Sequence, residues 1–299
     1  MPAAAPTAFY AAYDAVLDRW PASTASPASP AGRVERIDLD SAYGTTRVLA
    51  HGPADGEPLV LLHGGGSTAA VWFANIADLG GERRVYAVDR IGEAGRSRCG
   101  ERPIRSVPDL LDWLDGVFDG LGLDRADLCG HSYGAWLALT YALRTPRRVR
   151  GLVLLDPTQC FAGHRPGYLL HALPMLLRPT AGRARAFLRW ESGGAELDPG
   201  VLELYGLAAE FPRRKVVVGK RPTTAQLRGH ALPTLVVLAG ASRAHDVRRV
   251  EKEVREQLPQ AETAVLPGVS HHAMPAARAG ELDKLILDFL ATRVGRPSS

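Results

Sequence analysis

One pentapeptide in this chain has the form Gly-x-Ser-x-Gly: Gly130-His131-Ser132-Tyr133-Gly134. A serine placed between a strand and a helix must make a sharp turn, and glycines two residues before and after it remove side chains that would clash. Its hydroxyl then projects at a helix N-terminus, where developing negative charge is favoured. The flanks fit: Leu128-Cys129 reads as a short strand, and 135–144 (AWLALTYALR) reads as a helix ended by Thr145-Pro146. The competing reading is a serine that merely caps an ordinary helix. His63-Gly64-Gly65-Gly66 follows another apolar run, and a glycine-rich turn there can leave backbone N–H groups aimed at a ligand. Acyl transfer needs two such donors for an oxyanion, and the candidates are Gly65 and Tyr133, the residue after the serine. A phosphate cradle would need G-x-G-x-x-G or G-x-x-x-x-G-K-[ST], and the turn has neither pattern. Gly268-Val269-Ser270-His271-His272 lies between the last expected strand and the C-terminal helix, a loop from which a histidine can reach a serine as general base. Adjacent side chains point in different directions, so only one of His271 and His272 can serve.

These groups need a scaffold that brings distant loops together. Apolar runs at 59–62, 85–88, 152–155, 235–238 and 264–266 read as strands, joined by expected strands at 34–39 and 45–50. Uninterrupted apolar strands belong where helices cover both faces of a sheet. Between them lie helical stripes: Leu110, Leu111, Leu114, Val117, Phe118, Leu121; then Val247, Val250, Val254, Leu258; then Leu282, Leu285, Ile286, Phe289, Leu290. Alternation of this kind predicts an α/β fold with a mostly parallel sheet, eight strands in all, and helices on both faces. Phe9 to Trp20 carries one further helical stripe, and the Pro/Ser-rich stretch 21–32 reads as a linker. From Pro157 to about Pro233 the alternation breaks, with a helix-like run at 168–177, so 157–232 is expected to be an inserted helical cap. The expected organisation is therefore 1–32 helix and linker, 33–156 core, 157–232 cap, and 233–299 core.

Composition narrows the partners. The chain of 299 residues has 36 Lys+Arg against 32 Asp+Glu, and its longest basic cluster is Arg147-Arg148-Val149-Arg150, too short for an arm on nucleic acid. Cys99, Cys129 and Cys160 lack C-x-x-C spacing, which argues against a disulfide framework or zinc cluster and suits a reducing cytoplasm. No apolar run approaches a membrane span. The N-terminus has no basic residue before Arg19, unlike a secretory signal.

The stretches LVLLHGGG (59–66), VDRIGEAGRS (88–97), LCGHSYGAW (128–136) and LPGVSHHAMP (266–275) together resemble the α/β-hydrolase superfamily, over roughly Val34 to Leu290. The second is similar to the D-x-x-G-x-G-x-S stretch of many esterases and C–C-bond hydrolases. The resemblance implies Ser132 as nucleophile and His271 as base, three residues after the glycine of that loop. It leaves the acid open. Family members usually carry it about three residues beyond a glycine after the seventh strand, where this chain reads Ala241-Ser242-Arg243. Asp246 comes next but also fits a helix N-cap. Some members take the acid from the end of the sixth strand, here Asp156, which is the preferred candidate, with Asp246 as the alternative and a Ser–His dyad or another carboxylate as the remaining reading. The resemblance implies a carboxylesterase-like serine hydrolase acting on an ester, thioester or lactone with an apolar acyl group, without metal or organic cofactor. C–C cleavage of a diketone and a non-catalytic small-ligand receptor are the alternatives. The cap residues Phe161, Tyr168, Leu169, Leu170, Leu173, Met175 and Leu177 are expected either to wall an acyl pocket or to pack the cap on the core.

Overall fold

Alternate residues of each central strand enter different cores. Leu59 and Leu61 lie in one buried cluster and Val60 and Leu62 in the other, and Val153 and Leu155 are likewise separated from Leu152 and Leu154. That period of two is what a sheet covered on both faces demands. The computed structural model describes residues 4–20, 34–212 and 214–292; the linker expected at 21–32 lies outside the described residues.

In chain order the strands are β1 (Glu35–Ser41), β2 (Gly44–His51), β3 (Glu57–Leu62), β4 (Arg83–Val88), β5 (Arg98–Cys99), β6 (Ala126–His131), β7 (Val149–Leu155), β8 (Thr234–Ala239) and β9 (Glu262–Leu266). The sheet runs β1-β2-β4-β3-β6-β7-β8-β9, parallel from β4 onwards, with β1 and β2 antiparallel. Its main path holds the eight expected strands. The two-residue β5 pairs with β2 off that path and makes nine; it is too short to show a periodicity.

The helices are α1 (Ala4–Leu17), α2 (Ile76–Leu79), α3 (Val107–Gly120), α4 (Tyr133–Arg144), α5 (Pro166–Leu177), α6 (Ala181–Glu191), α7 (Pro199–Glu210), α8 (Thr224–Arg228), α9 (Val247–Gln257) and α10 (Ala279–Ala291). The apolar stripes of α3, α4 and α9 fill one core, and those of α1 and α10 the other, where α1 meets Leu204 and Ala208 of α7. α1 stops three residues before Trp20, yet that indole stays buried and donates to the Ala70 carbonyl at 3.4 Å.

Four helices, α5 to α8, occupy the interval between β7 and β8. Here the structure corrects the expectation for the leucines of α5. Leu169, Leu170, Leu173 and Leu177 do not pack on the core; they are exposed, Leu170 by 67% and Leu177 by 76%. α5 rests on α6 through Ala172, with Tyr168 and Met175 beside Phe187 and Leu188, so its apolar surface is wider than the face that is covered.

The stretch 89–97, which reads D-x-x-G-x-x-G-x-S with one residue more between its glycines than the family pattern, is a structural knot at the end of β4. Buried Asp89 accepts from the Tyr13 hydroxyl at 2.9 Å and from the Ala69 and Arg96 N–H groups at 2.7 and 2.8 Å. A β-carbon on Gly95, whose φ is +158°, would lie 2.9 Å from that carboxyl group. Ser97 closes the knot by donating to the Asp89 carbonyl and accepting from the Arg47 N–H. Removing one donor while leaving the others costs about 1 kcal/mol, or about 2–4 °C in a chain of this size. Tyr13→Phe is therefore expected to lower Tm by that amount in thermal unfolding; an unchanged Tm would show that the hydroxyl contributes nothing.

Candidate active site

Ser132 stands alone between β6 and α4 with φ 55° and ψ −114°, a conformation that L-residues rarely adopt. The surroundings enforce it. The Ser132 N–H donates to the Leu155 carbonyl of β7 at 2.9 Å, and its own carbonyl accepts from Ala135 and Trp136 at 3.1 and 3.2 Å. Both glycines of the pentapeptide are required for close approach. A β-carbon on Gly130 would lie 2.2 Å from the Gly134 carbonyl oxygen, and one on Gly134 would lie 2.2 Å from that of Leu62. The helix-cap reading fails, because the Ser132 side chain makes no capping hydrogen bond.

The hydroxyl meets His271 instead. Ser132 Oγ lies 2.8 Å from His271 Nε2, and His271 Nδ1 lies 2.6 Å from Asp156 Oδ2. An ionised carboxylate can only accept, so Nδ1 carries the proton and neutral His271 offers its Nε2 lone pair to the serine. His272 meets another partner, with Nε2 2.9 Å from the Tyr168 hydroxyl of α5. Asp156 follows β7 in a left-handed conformation, φ 40°, and is fully buried. Besides His271 it accepts from the Ala239 N–H at 3.0 Å, the Ser242 hydroxyl at 2.8 Å and His245 Nε2 at 2.9 Å. Asp246 is elsewhere: it caps α9 by accepting from the Arg249 N–H at 3.1 Å, and it pairs with Arg165. The loop after β8, which holds no carboxylate at 241–243, supplies two donors to the carboxylate after β7. Neither Ser242 nor His245 stands out in the sequence, and neither does Glu191, whose carboxylate accepts the N–H groups of His271 and His272.

The electrostatics reflect burial and these partners. Burial pushes the Asp156 pKa up, but the charges and hydrogen bonds of His245 and His271 outweigh it and hold the carboxyl well below the usual range. Burial pulls His271 down, yet the hydrogen bond and charge of Asp156, with help from Glu191, leave it raised. His131 donates from Nε2 to the His271 carbonyl at 3.0 Å, and burial, reinforced by His271, drives its pKa to about 3, so it stays neutral.

The glycine-rich turn packs directly on the elbow. A β-carbon on Gly64 would lie 3.3 Å from Ser132 Cβ, and one on Gly65 would lie 3.8 Å from Tyr133 Cβ. His63 holds the turn, donating from Nδ1 to the Gly64 carbonyl at 2.8 Å and accepting the Arg90 N–H on Nε2 at 3.1 Å. The Tyr133 N–H is the first of α4 and has no acceptor one turn back. This geometry can take a proton from a hydroxyl and present backbone donors beside it.

A strand–Ser–helix turn, a Ser–His–Asp array and this sheet order define a protein of the α/β-hydrolase class. The chain matches the model of the Alpha/beta hydrolase family over residues 59–283, and it belongs to that family. It is 33% identical over 186 residues to carboxylesterase YbfK of Bacillus subtilis (strain 168), covering 62% of this chain and 58% of that protein. The match thus spans less than two thirds of that relative's length. It is 31% identical over 212 residues to the 2-hydroxymuconate semialdehyde hydrolase of Pseudomonas sp. (strain CF600), covering 64% of this chain and 72% of that one. The crystal structure of carboxylesterase CesB (YbfK) from Bacillus subtilis superposes with a TM-score of 0.85 at 26% identity, over 96% of this chain and 98% of that chain.

A capping carboxylate is replaceable by an amide, whereas alanine costs about 1 kcal/mol. Asp246→Asn is expected to keep the wild-type Tm and Asp246→Ala to lower it by about 2–4 °C. Equal Tm values for both variants would show that the cap contributes nothing.

Proposed function

We propose that the protein is a carboxylesterase-like serine hydrolase that cleaves an ester through an acyl-enzyme on Ser132. The observation that carries this reading is the continuous chain from Ser132 Oγ through the His271 ring to Asp156, at 2.8 and 2.6 Å. His271 takes the serine proton as Oγ attacks the carbonyl carbon, and Asp156 stabilises the imidazolium. The N–H groups of Gly65 and Tyr133 receive the oxyanion. His271 then protonates the leaving alkoxide, the alcohol departs, and a water activated by the same ring releases the acid. Kinship with YbfK supports an ester as substrate, and the semialdehyde hydrolase keeps C–C cleavage as the second reading.

The segment 157–232 acts as a cap over this site in our reading, with Tyr168 of α5 and Tyr205 of α7 against His272. Val71, Val201, Leu204, Tyr205 and Ala208 line a narrow, mostly apolar cleft between the glycine-rich turn and α7. No helix among the described residues is long and apolar enough to cross a membrane. Three free thiols, Cys99, Cys129 and Cys160, support a cytoplasmic location.

The test is a fluorophosphonate reaction followed by peptide mass spectrometry, with p-nitrophenyl esters and a vinylogous diketone as substrates. Wild-type protein is expected to be labelled on Ser132 and to hydrolyse the esters faster than the diketone. Ser132→Ala is expected to lose on the order of 10⁴-fold or more in kcat with its fold intact. Label on another residue, or turnover by Ser132→Ala within tenfold of wild type, would reject the reading; faster diketone cleavage would favour the second one.

The pH dependence has a definite sign. His271 must be neutral to act as base, and its pKa is raised, so kcat/KM is expected to rise with pH through a midpoint above about 6.5. Full activity at pH 5 would contradict it.

A further inference from the structure

Glu191 is the last residue of α6 and is fully buried, at 0% exposure. Its Oε1 accepts the His271 N–H at 3.0 Å and the Arg243 N–H at 3.3 Å, while Oε2 accepts the His272 N–H at 3.0 Å. One carboxylate thus binds the loop after β9 that carries His271 and the loop after β8 that carries Ser242 and His245. The neighbouring guanidinium does not join in by hydrogen bonding: Arg243 Nη1 donates to the Trp190 carbonyl at 2.6 Å. A buried carboxylate is costly unless its oxygens are filled, and these are filled by backbone N–H groups of the two loops that serve Ser132.

We propose that Glu191 is a positioning residue: it fixes the backbone of His271 within reach of Ser132, and its negative charge supports the imidazolium formed when the serine loses its proton. The inference rests on the serine-hydrolase reading. It adds to that reading a carboxylate from the helical segment between β7 and β8, outside the Ser–His–Asp array.

The charge argument depends on what else faces the ring. Asp156 holds Nδ1, and Ser132 meets Nε2. The rings of His272, His131, His245 and Tyr168 lie 4.9, 5.1, 6.2 and 6.4 Å away. Burial lowers the pKa of His272 and His131, and brings that of His164 to about 4, so these three stay neutral; burial likewise keeps the Tyr168 hydroxyl protonated. Asp156 and Glu191 are the anions that act on His271.

The experiment measures the rate of fluorophosphonate labelling of Ser132 from pH 4 to 9, together with Tm, for wild type, Glu191→Gln and Glu191→Asp. In Glu191→Gln the charge is gone and an amide N–H₂ meets backbone donors. Its plateau rate is expected to fall by about tenfold or more, since small displacements of a base are costly. Its acid limb is expected to move to lower pH, because imidazolium loses support. Glu191→Asp keeps the charge at shorter reach, so a slower plateau is expected with the limb at the wild-type position. A helix anchor alone would lower Tm in Glu191→Gln and leave the limb where it was, and that result overturns the inference. If Glu191→Gln does not fold, Glu191→Asp decides: a wild-type plateau overturns the inference, and a slow plateau with an unmoved limb supports it. Wild-type protein that takes no label on Ser132 would sink the hydrolase reading and the inference together, whereas a labelled wild type with unaltered variants sinks the inference alone.

Discussion

The Asp156 carboxylate holds the site together. Four donors converge on its two oxygens, from the His271 and His245 rings, the Ser242 hydroxyl and the Ala239 N–H. A buried charge is tolerated only when it is paired and hydrogen-bonded, and this one draws its partners from the ends or following loops of β8 and β9. The same bonds that offset its burial fix the tautomer of His271 and so direct a lone pair at Ser132. Without the carboxylate the ring could present either nitrogen to the serine. The array, the sheet edge and the loop conformations are therefore one arrangement rather than three.

Strain and close packing set the other half. Ser132 and Asp156 both sit at positive φ immediately after parallel strands, and the Ser132 N–H donates to the residue before Asp156. Adjacent strands β6 and β7 thus end in two conformations that cost energy, each held by the sheet beneath it. Gly130 and Gly134 let backbones approach where any β-carbon would collide, and Gly64 leaves room for the His131 and Ser132 side chains. The turn that carries Gly65 can then lie directly against Tyr133.

Some of this is legible in the sequence, and the rest is hidden for physical reasons. The strands and the helical stripes are readable because period-two and helical patterns are local consequences of burial. Ser132 is readable because its strained turn demands glycines at fixed offsets. Asp156 emerges from its place at a strand end together with the family resemblance. Ser242, His245 and Glu191 are not readable: they meet Asp156 or His271 across at least 80 residues of chain, and no local pattern marks a side chain for a partner that distant. The leucines of α5 mislead because apolar composition says nothing about whether a face is covered, and here only Ala172 is buried on that helix. Asp246 is ambiguous in the sequence because an N-cap and a catalytic carboxylate look alike until the partner is seen.

The central claim is that His271 Nδ1–H donates a hydrogen bond to the Asp156 carboxylate. Proton NMR of the imidazole N–H region tests it most directly, since a proton held between a buried histidine and a carboxylate is shielded from exchange and shifted far downfield. Because His245 also donates to Asp156, the account predicts such a resonance in wild-type protein, in His245→Gln and in Asp246→Asn, and its loss in Asp156→Asn, where an amide replaces the carboxylate. A downfield resonance that persists unchanged in Asp156→Asn, or one that disappears in Asp246→Asn instead, would contradict the account.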